Sequence, residues 1–229
     1  MRLAIFDVDG TISDSHAMIT ASLTKAFESQ DLVPPPRDRM LASIGLSLVD
    51  LMADLAPEQS AACHARMAQA YKETFWNFRE RGEHPELLYE GARPLLASLR
   101  ARDVVLGIAT GKSIRGVAHL LAKHEMEGWF ATIQTSDTNP SKPHPAMGLA
   151  ALAETGASPQ DAIMIGDTSF DMSMARSAGI GAIGVTWGNH GRRDLERAGA
   201  HEIVSDFNAL DLALAAMWEE AKVSGVARR

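Results

Sequence analysis

Short uninterrupted apolar runs, each closing on a small or polar residue, punctuate the chain. Leu3–Phe6 runs into Asp7, residues 104–109 into Thr110, residues 162–165 into Gly166 and Asp167, and Gly181–Val185 into Thr186. Residues 130–134 form a weaker fifth run, and Ile203-Val204 marks a sixth. Runs of this length suit strands buried on both faces, as in a parallel sheet, because neither face meets water. Between them lie stretches with apolar residues at helical spacing. Residues 92–102 carry Leu95, Leu96 and Leu99; residues 114–124 carry Val117, Leu120 and Leu121; residues 145–155 and 171–178 read the same way. Alternation of this kind predicts an α/β fold with a doubly wound parallel sheet.

One segment breaks the alternation. From about Ser15 to about Gly82 the pattern is helical and no strand is read. Residues 17–28 place Ile19, Leu23 and Phe27 on one stripe. Residues 37–55 place Met40, Leu41, Ile44, Leu48, Leu51, Met52 and Leu55 on another. Residues 58–81 do the same with Met67, Tyr71, Phe75 and Phe78. Pro34, Pro35 and Pro36 separate the first two helices, since proline lacks the N–H and fixes the backbone. These Met and aromatic stripes read as packing for a small bundle. The expected organisation is an α/β core from residues 1–13 and 87–229, with residues 14–86 as an inserted all-helical unit.

Length agrees with that division. At roughly 150 residues per domain, 229 residues make about one and a half domains. The composition, 46% hydrophobic and 22% charged, is that of a folded chain. The net charge of −7 argues against a nucleic-acid or anionic-membrane binder. The longest uncharged run, residues 177–191, holds five glycines and is too short for a membrane helix. The one cysteine, Cys63, excludes an internal disulfide framework and reads as a small buried helix residue. The opening residues lack the form of a signal peptide, so the expected location is cytoplasmic. The tail from Ala221 to Arg229 is expected to fray.

The polar residues that close the apolar runs are the candidates for chemistry, because ligands of open α/β sheets bind at the carboxyl ends of strands. Asp7-Val8-Asp9-Gly10-Thr11 puts two carboxylates at one strand end, with Gly10 allowing a tight turn. Thr110-Gly111-Lys112 offers a hydroxyl and backbone N–H groups to an anion. Lys142 stands between Ser141 and Pro143 in a proline-bounded loop. Gly166-Asp167-Thr168-Ser169-Phe170-Asp171 supplies two more carboxylates, and Asp171 also reads as a helix N-terminal acid. Taken one at a time, each pattern has a bland structural reading; together they supply carboxylates from two strands, one hydroxyl and one lysine. Hard oxygen ligands of this kind suit Mg2+, which is often shared with substrate phosphate.

On these four motifs, in this order, the chain resembles the haloacid dehalogenase superfamily, and within it the phosphoglycolate phosphatase-like group with a helical cap after the first strand. The resemblance implies a Mg2+-dependent phosphatase acting on a small phosphorylated metabolite through an aspartyl-phosphate. It makes Asp7 the nucleophile, Asp9 the general acid/base, Thr110 the phosphate-binding hydroxyl and Lys142 the motif lysine. Thr110, Gly111 and Lys142 would bind the substrate phosphate. Asp7, Asp167, Asp171 and Asp9, the last through its backbone carbonyl, would hold the metal. Asp9 argues against the dehalogenase branch, which lacks this second carboxylate. Glu90-Gly91 stands where many relatives have Pro-Gly, a departure expected to touch only the hinge.

Specificity is expected where the cap faces the nucleophile, with residues 43–47 the best candidate loop and Gly45 either a bend or a point of close approach. That loop has no Arg or Lys, which disfavours a second substrate phosphate gripped there. Lys25 and Lys72 read as ordinary surface residues; His16, soon after the first motif, either faces the site or is an ordinary surface residue, and residues 187–190, after a strand end, either border the site or form a plain surface loop. Hinges are placed near residues 13–15 and 82–88. A phosphotransferase or sugar-phosphate mutase on the same core is the alternative enzyme. A non-catalytic phosphate-ligand-binding protein is the alternative outside catalysis. Oligomeric state is not readable from the pattern.

Overall fold

A computed structural model describes residues 1–226. Six parallel strands form one sheet: β1 (Leu3–Phe6), β4 (Val105–Thr110), β5 (Thr132–Thr135), β6 (Ala162–Gly166), β7 (Gly181–Val185) and β8 (Glu202–Val204), in the order β5-β4-β1-β6-β7-β8. All six apolar runs of the sequence are strands, with ends shifted by a residue or two. β1 is central because its four residues are all fully buried, Ala4 and Phe6 toward one face and Leu3 and Ile5 toward the other. It pairs in register with β4 on one side and β6 on the other, Phe6 facing both Ile108 and Ile165. The residues after these three strands therefore emerge side by side at one edge of the sheet.

Each sheet face is covered by helices. The face bearing Phe6 packs with α5 (Ala92–Ala101), α6 (Ile114–Lys123) and α10 (Phe207–Val226) through Leu96, Leu99, Val117, Leu120, Leu210 and Leu214. The opposite face packs with α7 (Ala146–Thr155) and α8 (Ser169–Ala178) through Met147, Ala151, Met172 and Ala175. α9 (Arg192–Arg197) precedes the edge strand β8. α10 is described to Val226 and so takes in part of the tail from Ala221; residues 227–229 lie outside the described residues.

Between β1 and α5 stands a helical unit with its own apolar core. It comprises α1 (His16–Glu28), α2 (Arg37–Leu41), α3 (Leu48–Leu55) and α4 (Ala61–Glu80), packed through Met18, Leu23, Phe27, Met52 and Met67. Residues 37–55 are not one helix. Gly45 has φ +106°, outside the helical region, and Ser47 caps a new helix by accepting from the Asp50 N–H at 3.3 Å. The apolar spacing survives the interruption because Ile44 and Leu51 still face one core. The chain enters and leaves this unit through a short antiparallel pair that the sequence pattern did not reveal. In it, β2 (Ser13–Asp14) lies against β3 (Leu87–Leu88), with Ser13 opposite Leu88. Two residues per strand carry no periodicity to read. Among the described residues, no helix is long and apolar enough to cross a membrane.

Candidate active site

Asp7 follows β1, and its carboxylate is almost completely enclosed. Oδ1 accepts from the Val8 N–H at 2.7 Å. Oδ2 lies 2.9 Å from Lys142 Nζ, an ion pair without hydrogen-bond angles. Lys142 Nζ also donates to Asp171 Oδ1 at 2.6 Å and to the Ala109 carbonyl at 3.3 Å. A lysine surrounded in this way has no route to solvent, and its side chain is 0% exposed. Burial works against its charge, but Asp171 and Asp7 outweigh that and hold it protonated far above the usual lysine range.

Asp167, after β6, is likewise buried. Its Oδ1 accepts from Thr11 Oγ1 at 2.8 Å, and its Oδ2 from the Asn189 backbone N–H and side-chain amide, both at 2.7 Å. Asp171 sits in the first turn of α8 and completes a capping box with Thr168. Thr168 Oγ1 accepts from the Asp171 N–H at 3.3 Å, and Asp171 Oδ2 accepts from the Thr168 N–H at 3.1 Å. The cap role and the site role of Asp171 coexist, because one carboxylate oxygen serves each.

One carboxylate oxygen from each of Asp7, Asp167 and Asp171 lies within 4.8 Å of the others. Three buried carboxylates share one lysine, so the group carries uncompensated negative charge. Burial, then Asp171 and Asp167, push Asp7 up to about 7 despite Lys142. Burial and Asp171 raise Asp167 as well, against Asn189, Thr11 and Lys142. A divalent cation among these oxygens would reverse that repulsion, and hard oxygen donors match Mg2+. The residues present therefore fit a metal ion. Gly10, at φ +88°, follows Asp9 where a Cβ would collide with the Asp167 carboxylate and Asn189, so only glycine lets the loop pass.

Asp9 points elsewhere. Its carboxylate is not one of the three; Oδ1 accepts from Ser15 Oγ at 2.6 Å and from Lys112 Nζ at 2.8 Å. Lys112 Nζ lies 2.7 Å from Glu86 Oε1, and Glu86 Oε2 is paired with Arg79 of α4. None of these three side chains is more than 8% exposed. Burial pushes Glu86 up and Lys112 down, but the opposite charges win, holding Glu86 below the usual carboxylate range and Lys112 above the usual lysine range.

Asp7 and Asp9 line a cavity of about 440 Å³ between sheet edge and helical unit. Thr110 and Gly111 line it from the end of β4, and Ile44, Gly45, Leu46 and Ser47 from the loop between α2 and α3. Tyr71, Phe75 and Trp76 of α4 form an aromatic wall, with Arg79 of the same helix beside them. Lys142, Asp167 and Asp171 do not line this cavity; their contact with it runs through Asp7. The helical unit is docked on the sheet edge. Ser47 N–H donates to Ser141 Oγ at 2.6 Å, and a Cβ on Gly111 would strike the backbone of Leu46. Gly45 is thus a point of close approach, against Thr168 and Phe170.

Several residues here were not picked out in the sequence. Glu86 and Arg79 look like ordinary charges on a linker and a helix, and Lys112, although it closes the Thr110-Gly111-Lys112 motif, has no side-chain role assigned there. The loop at residues 187–190 is not a plain surface loop: Asn189 holds Asp167, Trp187 Nε1 donates to the Thr11 carbonyl at 3.0 Å, and His190 Nδ1 accepts from Ser169 N–H at 3.0 Å. Its place after a strand end is the signal on which the sequence offers it as a border of the site. Although residues 43–47 carry no cation, Lys72, Arg79, Lys112 and Arg115 reach the cavity from α4 and from the segment after β4. His16 does not line it and faces Asp14 at 3.4 Å.

A family model described as "Haloacid dehalogenase-like hydrolase" matches residues 4–185. The chain is 34% identical over 216 residues to "Probable phosphatase IndB" of Dickeya dadantii, covering 90% of each protein. It is 28% identical over 215 residues to the phosphoglycolate phosphatase of Pseudomonas putida, covering 91% of this chain and 78% of that one. The crystal structure of a hydrolase from Pseudomonas syringae superposes with a TM-score of 0.81 at 27% identity, covering 92% of this chain and 98% of the other.

Proposed function

The chain belongs to the haloacid dehalogenase-like hydrolases and is a phosphatase of that family; from that premise we propose that it hydrolyses a small phosphomonoester through an aspartyl-phosphate on Asp7, with Mg2+ as cofactor. The observation that carries this reading is the convergence of buried Asp7, Asp167 and Asp171 around Lys142, with Asp7 alone of the four lining the cavity.

The residues take the following parts. Asp7, Asp167 and Asp171, with the Asp9 backbone carbonyl, would hold Mg2+. When bound, the ion supplies charge neutralisation between the attacking carboxylate and the phosphoryl oxygens. Lys142 keeps Asp7 and Asp171 apart in charge and fixed in place. The Thr110 hydroxyl and the N–H groups that follow it orient the phosphoryl group, and orientation supplies much of the rate. Asp7 attacks phosphorus as the ester oxygen departs. Asp9 gives that oxygen its proton and then takes one from the water that releases phosphate from Asp7. Residues 14–86 act as a cap that closes the cavity over the substrate and chooses its organic part. Relatives named phosphoglycolate phosphatase support a short anionic metabolite as one substrate class.

Chelation tests the reading. We expect inorganic phosphate release from a panel of phosphorylated metabolites to fall to background in EDTA and to return with Mg2+. Acid quench during turnover should trap phosphate covalently on the protein, mapped to the peptide containing Asp7. Undiminished turnover in EDTA, or no trapped phosphate, would overturn it.

A further inference from the structure

Asp9 belongs to two structures at once. Its backbone follows the nucleophile, but its carboxylate is held by Lys112 at 2.8 Å, and Lys112 is held by Glu86 at 2.7 Å. Glu86 lies immediately before β3, in the segment leaving the helical unit, where its two ends are tied to different bodies. Its carbonyl accepts from Lys123 Nζ of α6 at 3.0 Å and lies 3.2 Å from His124 Nε2, both on the sheet side. Its carboxylate pairs with Arg79 of α4. The same α4 places Phe75 against Lys112, ring centre to Nζ 5.1 Å. Two acids and two bases thus form a buried, charge-balanced row running from the helical unit to the acid beside the nucleophile. Ser15, at the start of the unit, adds the remaining contact to Asp9 at 2.6 Å.

We propose that Lys112 is the positioning residue for Asp9, and that Glu86 and Arg79 make its position depend on how the helical unit is docked. The proposal rests on the reading of Asp9 as proton donor to the leaving group. A flexible carboxylate beside a reaction centre has several rotamers, and a proton donor must reach one oxygen atom. Lys112 and Ser15 both bind Oδ1 and leave Oδ2 unrestrained by them. Undocking α4 withdraws Arg79 and Phe75, loosens Glu86, and frees Lys112. Asp9 is then aligned only when the cavity is closed, which confines proton transfer to the enclosed complex.

The dependence on leaving group tests this, because proton donation matters little to a nitrophenolate and greatly to an alkoxide. We expect Lys112→Met to lower kcat/KM for an alkyl phosphate by about tenfold or more, and for 4-nitrophenyl phosphate by less than about threefold. Asp9→Asn should show the same split, larger. Because Lys112→Met leaves Asp9 without a cation and Glu86 with Arg79 alone, Lys112→Met/Glu86→Gln is measured beside it, with folding checked by circular dichroism. The double variant should keep the split. Equal losses for both substrates in a folded Lys112 variant, with the split intact in Asp9→Asn, would overturn the proposal and leave the function standing. Absence of the split in Asp9→Asn would overturn the donor role itself, and the positioning of it by Lys112.

Discussion

Two buried clusters of charge lie side by side, and their bookkeeping differs. Around Lys142, three carboxylates share one ammonium. Around Lys112, two carboxylates meet two cations. The first cluster pushes Asp7 up to about 7, chiefly by burial and then by its acidic neighbours. The second holds Glu86 down and Lys112 up, since attraction exceeds the burial penalty. An unbalanced buried cluster is costly to keep and makes sense where a cation completes it. A balanced one holds geometry without a ligand. The two lie at one sheet edge, and the reaction proposed above needs both: an electrophile-stabilising centre, and an acid aimed at the leaving oxygen.

Charge-changing substitutions separate the two. The largest effect belongs to Asp7→Asn. Turnover should fall by at least about 10³-fold if Asp7 is the attacking group as proposed, since an amide cannot take its place. Phosphate release measured in Mg2+ checks this, and retention of more than a few per cent of wild-type rate would remove Asp7 from the nucleophile role.

Next comes Lys112→Met, which leaves Asp9 and Glu86 as buried carboxylates facing an apolar group. Breaking a buried pair from one side costs about 3–5 kcal/mol, and Glu86→Gln in the same chain should return part of it. Urea titration of the three proteins measures both numbers. A Lys112→Met protein as stable as wild type would show that the row contributes no net stability.

The smallest effect is a pH slope in metal-free protein. Asp7 is raised from 3.8 to about 7 in the folded chain, so between these values the folded state binds more protons than the unfolded one. Stability contributed by this group is therefore present at low pH and falls as pH rises through that window. The difference between wild type and Asp7→Asn isolates it, at about 2 kcal/mol between pH 5 and pH 8. Thermal midpoints in EDTA across that range are the measurement. A flat difference would mean that Asp7 is already neutralised without metal. The Lys112 cluster predicts no such slope there, because Glu86 is held below and Lys112 above the window.

The strands, their parallel class and the four chemical motifs follow from local pattern. Apolar runs of four to six residues that stop at Asp7, Thr110 and Asp167 can be buried on both faces only in a layered sheet. Parallel strands then bring their polar ends to one edge, so Asp7, Thr110 and Asp167 could be grouped without coordinates. The helical character of residues 16–80 was legible for the same reason, while the break at Gly45 was blurred because apolar spacing continues across it.

What tertiary structure decided is which charges meet. Asp9 and Lys112 are 103 positions apart, and Asp167 and Asn189 are 22 apart. Glu86 and Arg79 have no periodicity or motif of their own, and the motif that holds Lys112 points to its backbone, since a single charged side chain on a helix or linker is most often solvated. Their partnership exists only because the strand leaving the helical unit returns beside β2 and sets Glu86 between α4 and the end of β4. Apolar periodicity is a property of neighbours along the chain, so sequence determines where the sheet edge lies. Coulomb attraction acts between neighbours in space, so packing of the sheet edge brings Lys142 to Asp7 and Asp171, and docking of the helical unit brings Glu86 to Lys112.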